Sequence, residues 1–321
     1  MWGRAPGWAA LLRTAGDSVP PTCLVLVGIV SLQAGAGIAG RLFEVLPPSA
    51  VVWLRLLASA LVLLALARPS PRGRSRADWL VAVGFGVSLG VMNFAIYQAF
   101  ARIPMGIAVT IEFLGPLAVA VAGSRRRVDL LWVGLAGAGV LLLGRSDGAV
   151  SLSGVLFALL AGAMWAAYIL LSAATGRRFS GMSGLAIAGA VAAVLVAPAG
   201  IAEGGAALLD PRLLLLGLAI GLLSSVVPYT LELQALRRMP PRVFGILMSL
   251  EPAVAALVGM ALLGQWLSGW QWLAIACVVA ASAGATRRPA PPEAPERPEG
   301  PGAPGGGAPE NRGGTGSPGP G

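Results

Sequence analysis

This chain of 321 residues has no lysine and no histidine, so all 23 of its basic residues are arginine. The absence of histidine removes the HExxH arrangement and the usual imidazole zinc ligand. There are two cysteines, Cys23 and Cys277, far apart and each inside an apolar run, with no CxxC pair. They support neither a zinc site nor a disulfide framework and read as two inert thiols. No GxxxxGK[ST] loop is present, so nothing in the chain binds ATP as a P-loop does. No paired intramembrane aspartates and no GxSG-type serine appear, which argues against an intramembrane enzyme. No cofactor is implied. Charge is scarce too: 12% of residues are charged, against roughly 25% in soluble domains.

What is there is apolar. Hydrophobic residues make up 56% of the chain and the mean hydropathy is +0.78. A membrane-crossing helix needs about 20 mostly apolar residues. Ten such runs are expected, at 22–40, 50–67, 79–100, 104–123, 129–144, 152–173, 183–201, 212–233, 243–263 and 269–286; several are short or glycine-rich, so nine is also compatible. The first run is preceded by about 20 residues and lacks a clear small-residue cleavage site, so it reads as a span and not a cleaved signal. The expected class is an all-α polytopic membrane protein lodged in the lipid bilayer.

The net charge of +9 does not indicate nucleic acid, because the arginines sit in short loops between the runs. With the N-terminus in the cytoplasm, sixteen loop arginines fall inside and four (Arg41, Arg102, Arg145 and Arg212) fall outside. That alternation follows the positive-inside rule and supports ten spans with both termini cytoplasmic. Residues 1–21 read as an N-terminal cytoplasmic segment in which Trp2 and Trp8 suit headgroup depth. Residues 287–321 are rich in proline, glycine and acid and are expected to be disordered.

The chain repeats itself. Placing Pro104 on Pro240 and Pro116 on Pro252 at one constant offset also aligns Gln98 with Gln234, Arg102 with Arg238, Ala120 with Ala256 and Gly123 with Gly259. The repeat unit is therefore five spans, 22–144 and 152–286. An odd number of spans inverts the second copy, and inverted repeats recur in secondary transporters with the site near the midplane between the halves.

Each copy carries an acid in its fourth apolar run. Glu112 lies about eight residues into one and Glu251 about nine into the other, which is roughly 12–14 Å deep, near mid-bilayer. Glu112 aligns with Met248, and Glu251 lies three residues further on, close to one helical turn, so both acids fall on about the same face. A carboxylate at that depth costs several kcal/mol unless it is paired, hydrated or protonated, and usually marks a pathway. Burial favours the neutral acid and a neighbouring cation favours the carboxylate. One such group can therefore exchange a proton for a substrate ammonium, a physical route to antiport. The bland reading is a protonated acid hydrogen-bonded to a neighbouring helix. Pro116 and Pro252 each leave a carbonyl unpaired near an acid, which suits either a structural kink or a loosened, cavity-lining helix.

Further candidates are polar groups within apolar runs. Arg55 could snorkel to the outer surface or face a substrate carboxylate or a glutamate. Asn93 and Tyr97 share a helix face, as do Trp165 with Tyr168 and Tyr229 with Glu232. These suit a cavity that takes a zwitterion, but also interhelical hydrogen bonds or an interfacial belt. Glu232 is near a run's end and could instead pair with Arg237 or Arg238. Gln33 stands in a small-residue stretch, Ala34 to Gly37, that reads as a packing surface.

The stretches GVSLGVMNFAIYQAF (86–100), GIAVTIEFLGPLAVAV (106–121), SRRRVDLLWV (124–133), GAMWAAYIL (162–170), SSVVPYTLE (224–232) and FGILMSLEPAVAALVGMALLG (244–264) resemble the threonine/homoserine exporters of the drug/metabolite transporter superfamily. The resemblance covers roughly residues 22–286. It implies two five-helix EamA-type domains, an inner-membrane location and export of small amino acids, with protons as the expected coupling ion. One departure is a Gly264-Gln265 pair where such proteins commonly carry Gly-Glu. The same fold with another metabolite, a drug cation or a nucleotide sugar as cargo is the alternative, and a passive channel is a third reading that flux kinetics would separate. Homodimers occur among related small transporters, and no motif here fixes the oligomeric state.

Overall fold

A computed structural model describes residues 19–70, 73–122, 128–143 and 151–286. The N-terminal segment through residue 18, the tail 287–321 and the arginines at 125–127 and 145 lie outside the described residues. All regular structure among the described residues is helical. In chain order the helices are α1 (Pro21–Leu42), α2 (Pro48–Ala67), α3 (Arg76–Phe100), α4 (Met105–Glu112), α5 (Leu114–Ala122), α6 (Val128–Leu143), α7 (Leu152–Gly176), α8 (Ser183–Gly204), α9 (Pro211–Gly221), α10 (Val227–Leu236), α11 (Pro241–Met248), α12 (Glu251–Leu263) and α13 (Gly269–Thr286). α4 with α5, α9 with α10 and α11 with α12 each form one interrupted run. Among the described residues nine helical runs are long and apolar enough to cross a membrane, and the shorter α6 is apolar as well.

Capping chemistry sets several helix starts. Proline occupies the N1 or N2 position of α1, α2, α9, α11 and α12, where its missing N–H costs nothing. α3 opens on a capping box in which Ser75 and Asp78 each accept the other's backbone N–H, satisfying two donors that the first turn leaves over. Asp78 also pairs with Arg178 at 3.4 Å, tying the start of α3 to the α7–α8 turn.

The two breaks at the acids have a common cause. Pro116 and Pro252 offer no N–H to the carbonyls of Glu112 and Met248, four residues earlier. Helix α4 ends at Glu112 and α11 at Met248, and the next residues, Phe113 and Ser249, have the same dihedrals, φ −62° and ψ −14°. The ladder resumes one turn on, with Leu117 N–H donating to Phe113 O and Val254 N–H to Leu250 O. The interruption thus precedes each proline by about one turn.

Packing is close where glycine allows it. A Cβ on Gly115 would collide with the carbonyl of Gly162, so α5 and α7 touch backbone to backbone. Gly106 packs the same way on Ala256, bringing α4 against α12. The polarity pattern is inverted relative to a soluble protein. Gln33, Arg55, Asn93, Glu112 and Glu251 are buried, while Leu80, Leu141, Leu209 and Trp266 lie on the outside. Hydrocarbon on the outside removes the penalty for that apolar surface and forces polar side chains inward.

Candidate functional site

A cavity of ≈ 420 Å³ lies among the interrupted helices and their neighbours α1, α2, α3, α7 and α13. All ten polar or aromatic candidates from the sequence line it: Gln33, Arg55, Asn93, Tyr97 and Glu112, together with Trp165, Tyr168, Tyr229, Glu232 and Glu251. Pro116 lines it as well, whereas Pro252 is buried and acts only through the break it causes.

Arg55 does not snorkel. It is 8% exposed, and its Nη1 donates to Asn93 Oδ1 at 2.6 Å while Nη2 donates to the Ser224 carbonyl at 3.2 Å. Asn93 is oriented in turn, because its Nδ2 donates to the Leu89 carbonyl one helical turn back at 2.8 Å. The guanidinium carbon sits 5.5 Å from the Tyr97 ring centroid, a cation–π distance. Arg55 Nε and the Tyr97 hydroxyl are buried with no hydrogen-bond partner. Buried polar groups are normally satisfied, so these two stand out in the cavity wall, the Tyr97 hydroxyl within reach of the Arg55 charge.

The acids flank this cation. Glu112 is 8% exposed and feels the charge of Arg55 without a direct ion pair. Glu251 is 4% exposed. Its Oε1 accepts from Gln33 Nε2 at 2.9 Å, and its Oε2 has no partner. Glu232, which sequence position could have paired with Arg237 or Arg238, is half-buried in the cavity wall and close enough to interact with Glu251 and the two tyrosines, Tyr168 and Tyr229. Three carboxyls and one guanidinium therefore surround one space.

The remaining wall, mostly apolar with the hydroxyls of Ser282 and Thr286, was not singled out from sequence. Phe113 stands edge-on to Trp165 with centroids 5.0 Å apart, and Met92, Ile96, Phe100 and Val109 complete that side. Their signal was present only as helical spacing from Asn93, Tyr97 and Glu112. Ser224, whose carbonyl holds Arg55, carried no such signal. A cluster of three or more His, Cys, Asp or Glu able to hold a metal is absent among the described residues.

Gln265, the departure noted in sequence, caps a helix. Its Oε1 accepts from the Met105 N–H at 2.9 Å, the first N–H of α4, which Pro104 at the N-cap position leaves uncapped. Gly264 makes this possible with φ +66° at the end of α12, a left-handed turn that glycine adopts freely.

Comparison with known proteins agrees with this architecture. The EamA-like transporter family matches residues 152–287. The Threonine/homoserine exporter RhtA of Escherichia coli (strain K12) is 43% identical over 269 residues, covering 83% of this chain and 91% of its own. The RhtA of Salmonella typhimurium (strain LT2) is equally similar over 272 residues. The Uncharacterized transporter YwfM of Bacillus subtilis (strain 168) is 32% identical over 145 residues, 45% of this chain and 49% of its own. A solved crystal structure aligns with TM-score 0.58 at 22% identity over 82% of this chain and 96% of that one, a likeness in fold. The chain is a multi-pass membrane transporter that belongs to the EamA-like transporter family.

Proposed function

We infer that this protein is a secondary-active exporter of small amino acids of the threonine/homoserine kind, working by proton antiport and alternating access. The observation that carries the cargo is the 43% identity to the two RhtA exporters over nearly their whole length. The cavity chemistry agrees. An amino acid is a zwitterion, and the site holds a guanidinium with a free Nε on one side and a carboxylate with a free oxygen on the other. The substrate carboxylate docks on Arg55 beside the Tyr97 hydroxyl. Its ammonium docks on Glu251 Oε2, with Glu112 near. A proton on either acid competes with that ammonium, and this competition is the coupling.

The architecture that serves this is ten spans in two inverted five-helix repeats, 22–144 and 152–286, with both termini cytoplasmic and the protein in the inner membrane. Helix packing supports the repeat. α3 with the following α4 and α5 packs on α7, and their counterparts α10 and α12 pack on α1. α2 packs on its own counterpart α8, and α6 on its counterpart α13. The matched dihedrals after α4 and α11 point the same way. In that frame Glu112 and Glu251 stand at the two helix breaks, where the halves meet.

The test is uptake of labelled threonine and homoserine into proteoliposomes under an imposed pH gradient, wild type beside Glu112→Gln. Saturable uptake that follows the gradient and loses that dependence in the variant is the expected result. Unsaturable flux indifferent to the gradient would mean a passive pore. No uptake by folded protein would leave the fold and remove the cargo.

A further inference from the structure

α9 and α10 are joined by a single π-helical turn, Leu222–Val226. Such a turn widens the helix locally and takes carbonyls out of the regular ladder. Pro228 follows and cannot donate to the Ser224 carbonyl four residues before it. Side chains of α1 and α2 meet the turn. Ser31 Oγ donates to Leu223 O at 2.8 Å, Ser59 Oγ to Gly221 O at 3.4 Å, and Arg55 Nη2 to Ser224 O at 3.2 Å. Of these three holders, Arg55 alone also lines the cavity.

The other half lacks this device. At the repeat's offset, Arg55 corresponds to Val191, Pro228 to Met92, and Leu222–Val226 to residues 86–90, which run through α3 without interruption. There Gly86 packs tightly on Val191, so that a Cβ at Gly86 would come within 2.5 Å of the valine Cβ. An apolar contact needs no acceptor. A guanidinium in the same place needs room and a carbonyl, and the π turn supplies both.

We propose that the Leu222–Val226 turn is a hinge latched by Arg55 and released by the substrate carboxylate. This rests on the amino-acid reading of the cavity. Arg55 Nε is unpartnered, and Nε with Nη2 forms the guanidinium edge on which a carboxylate docks with two parallel hydrogen bonds. The long bond from Nη2 to a neutral carbonyl is the one such docking displaces, while Nη1 stays on Asn93. Once Ser224 O is released, α10 pivots about the turn and carries Tyr229 and Glu232 with it. Binding in the cavity thereby becomes movement of a helix that packs on α1.

Amide hydrogen exchange on the full chain in liposomes tests this, with and without saturating threonine, alongside a radioligand measurement of threonine binding. In ligand-free protein, Arg55→Gln is expected to speed exchange across Leu222–Tyr229 roughly tenfold, the loss of one hydrogen bond from a charged donor, with α7 and α8 unchanged as the folding control. Threonine is expected to speed the same segment in wild type and not in Arg55→Gln. Pro228→Ala restores the missing donor, so its segment exchanges more slowly and no longer responds. Threonine bound with exchange at 222–229 unmoved overturns the hinge and leaves the transport reading intact. Wild-type protection in ligand-free Arg55→Gln overturns the latch whether or not threonine binds. Failure of wild type to bind threonine overturns both the cargo and its release of the turn.

Discussion

Arg55 donates to Asn93 at 2.6 Å with no carboxylate in ion-pair contact. Elsewhere Arg178 pairs with Asp78 at 3.4 Å, partly exposed at the bundle's periphery. A buried cation held by neutral groups alone is costly, and the geometry keeps it that way: Asn93 is fixed by Leu89 O, and the opposing acids stay at a distance. In the transport reading proposed above, the anion that completes this site is the substrate carboxylate.

Arg55→Gln should therefore weaken threonine binding about ten- to a hundredfold, the range for a charge-assisted hydrogen bond in a buried site. Threoninol, which keeps the amine and lacks the carboxylate, should bind wild type and variant alike. Equilibrium binding of both ligands to both proteins forms a double cycle. A threoninol loss as large as the threonine loss would show that Arg55 acts only on the fold.

Coupling should reside in the acids. Glu251→Gln and Glu112→Gln each remove a titratable group, while glutamine keeps the shape and the hydrogen bonding. Threonine counterflow, in which substrate exchanges for substrate, should persist in the variant that has lost the coupling acid. Net uptake driven by a pH gradient should fall at least about tenfold, as expected when the group whose protonation competes with the ammonium is gone. Parallel counterflow and gradient-driven assays separate the two acids. Equal loss of both fluxes in a variant would assign that glutamate to substrate binding and not to proton exchange.

The sequence carried the cavity better than it carried the mechanism's moving parts. An ionisable or amide side chain inside an apolar run tends toward the protein interior, so Gln33, Arg55, Asn93, Glu112 and Glu251 were all singled out from sequence; that Arg55 turns inward and does not snorkel, and that all five line one cavity, only the fold shows. The apolar runs were legible for the same reason of length and hydropathy, and among the described residues nine of them form helices long enough to cross a membrane, with the shorter α6 beside them. Glu232 was ambiguous because two arginines follow it in sequence, and only the fold turns it inward. The helix breaks, at Phe113 and at Ser249–Leu250, lie near the acids, as expected from Pro116 and Pro252 each leaving the carbonyl one turn before it unpaired. The π turn was illegible, since it depends on Arg55 of α2 meeting Ser224 across the bundle. So was the Met105 cap, which joins residues 160 apart, more than one repeat.

The close approach at Gly115 gives a stability prediction free of transport. A methyl group there would meet the Gly162 carbonyl, backbone that cannot swing aside. Gly115→Ala should cost about 1–3 kcal/mol, as overpacking does, and lower the thermal unfolding midpoint in detergent. Gly134→Ala is the control, since nothing lies within 4 Å of a Cβ there. Equal midpoints for the two variants would mean that α5 and α7 do not touch as described.

Gln265 tests how a broken helix is held at its start. Met105 N–H has the Gln265 carbonyl oxygen and no proline side chain to cap it, and Met105 itself is fully buried. Gln265→Ala leaves a buried donor unmet and should cost about 1–2 kcal/mol, as loss of a helix cap does. Gln265→Glu places a carboxylate at the N-terminus of α4, where the helix dipole favours it by about 0.3–1 kcal/mol. It should match or exceed wild-type stability at neutral pH. That gain depends on the ionised carboxylate, so it should shrink as the pH is lowered toward the carboxyl range, while Gln265→Ala shows no such pH dependence relative to wild type. Thermal unfolding of the three proteins across that range reads the difference. A Glu variant that is no better than Ala at neutral pH would mean that the side chain at 265 does not cap α4.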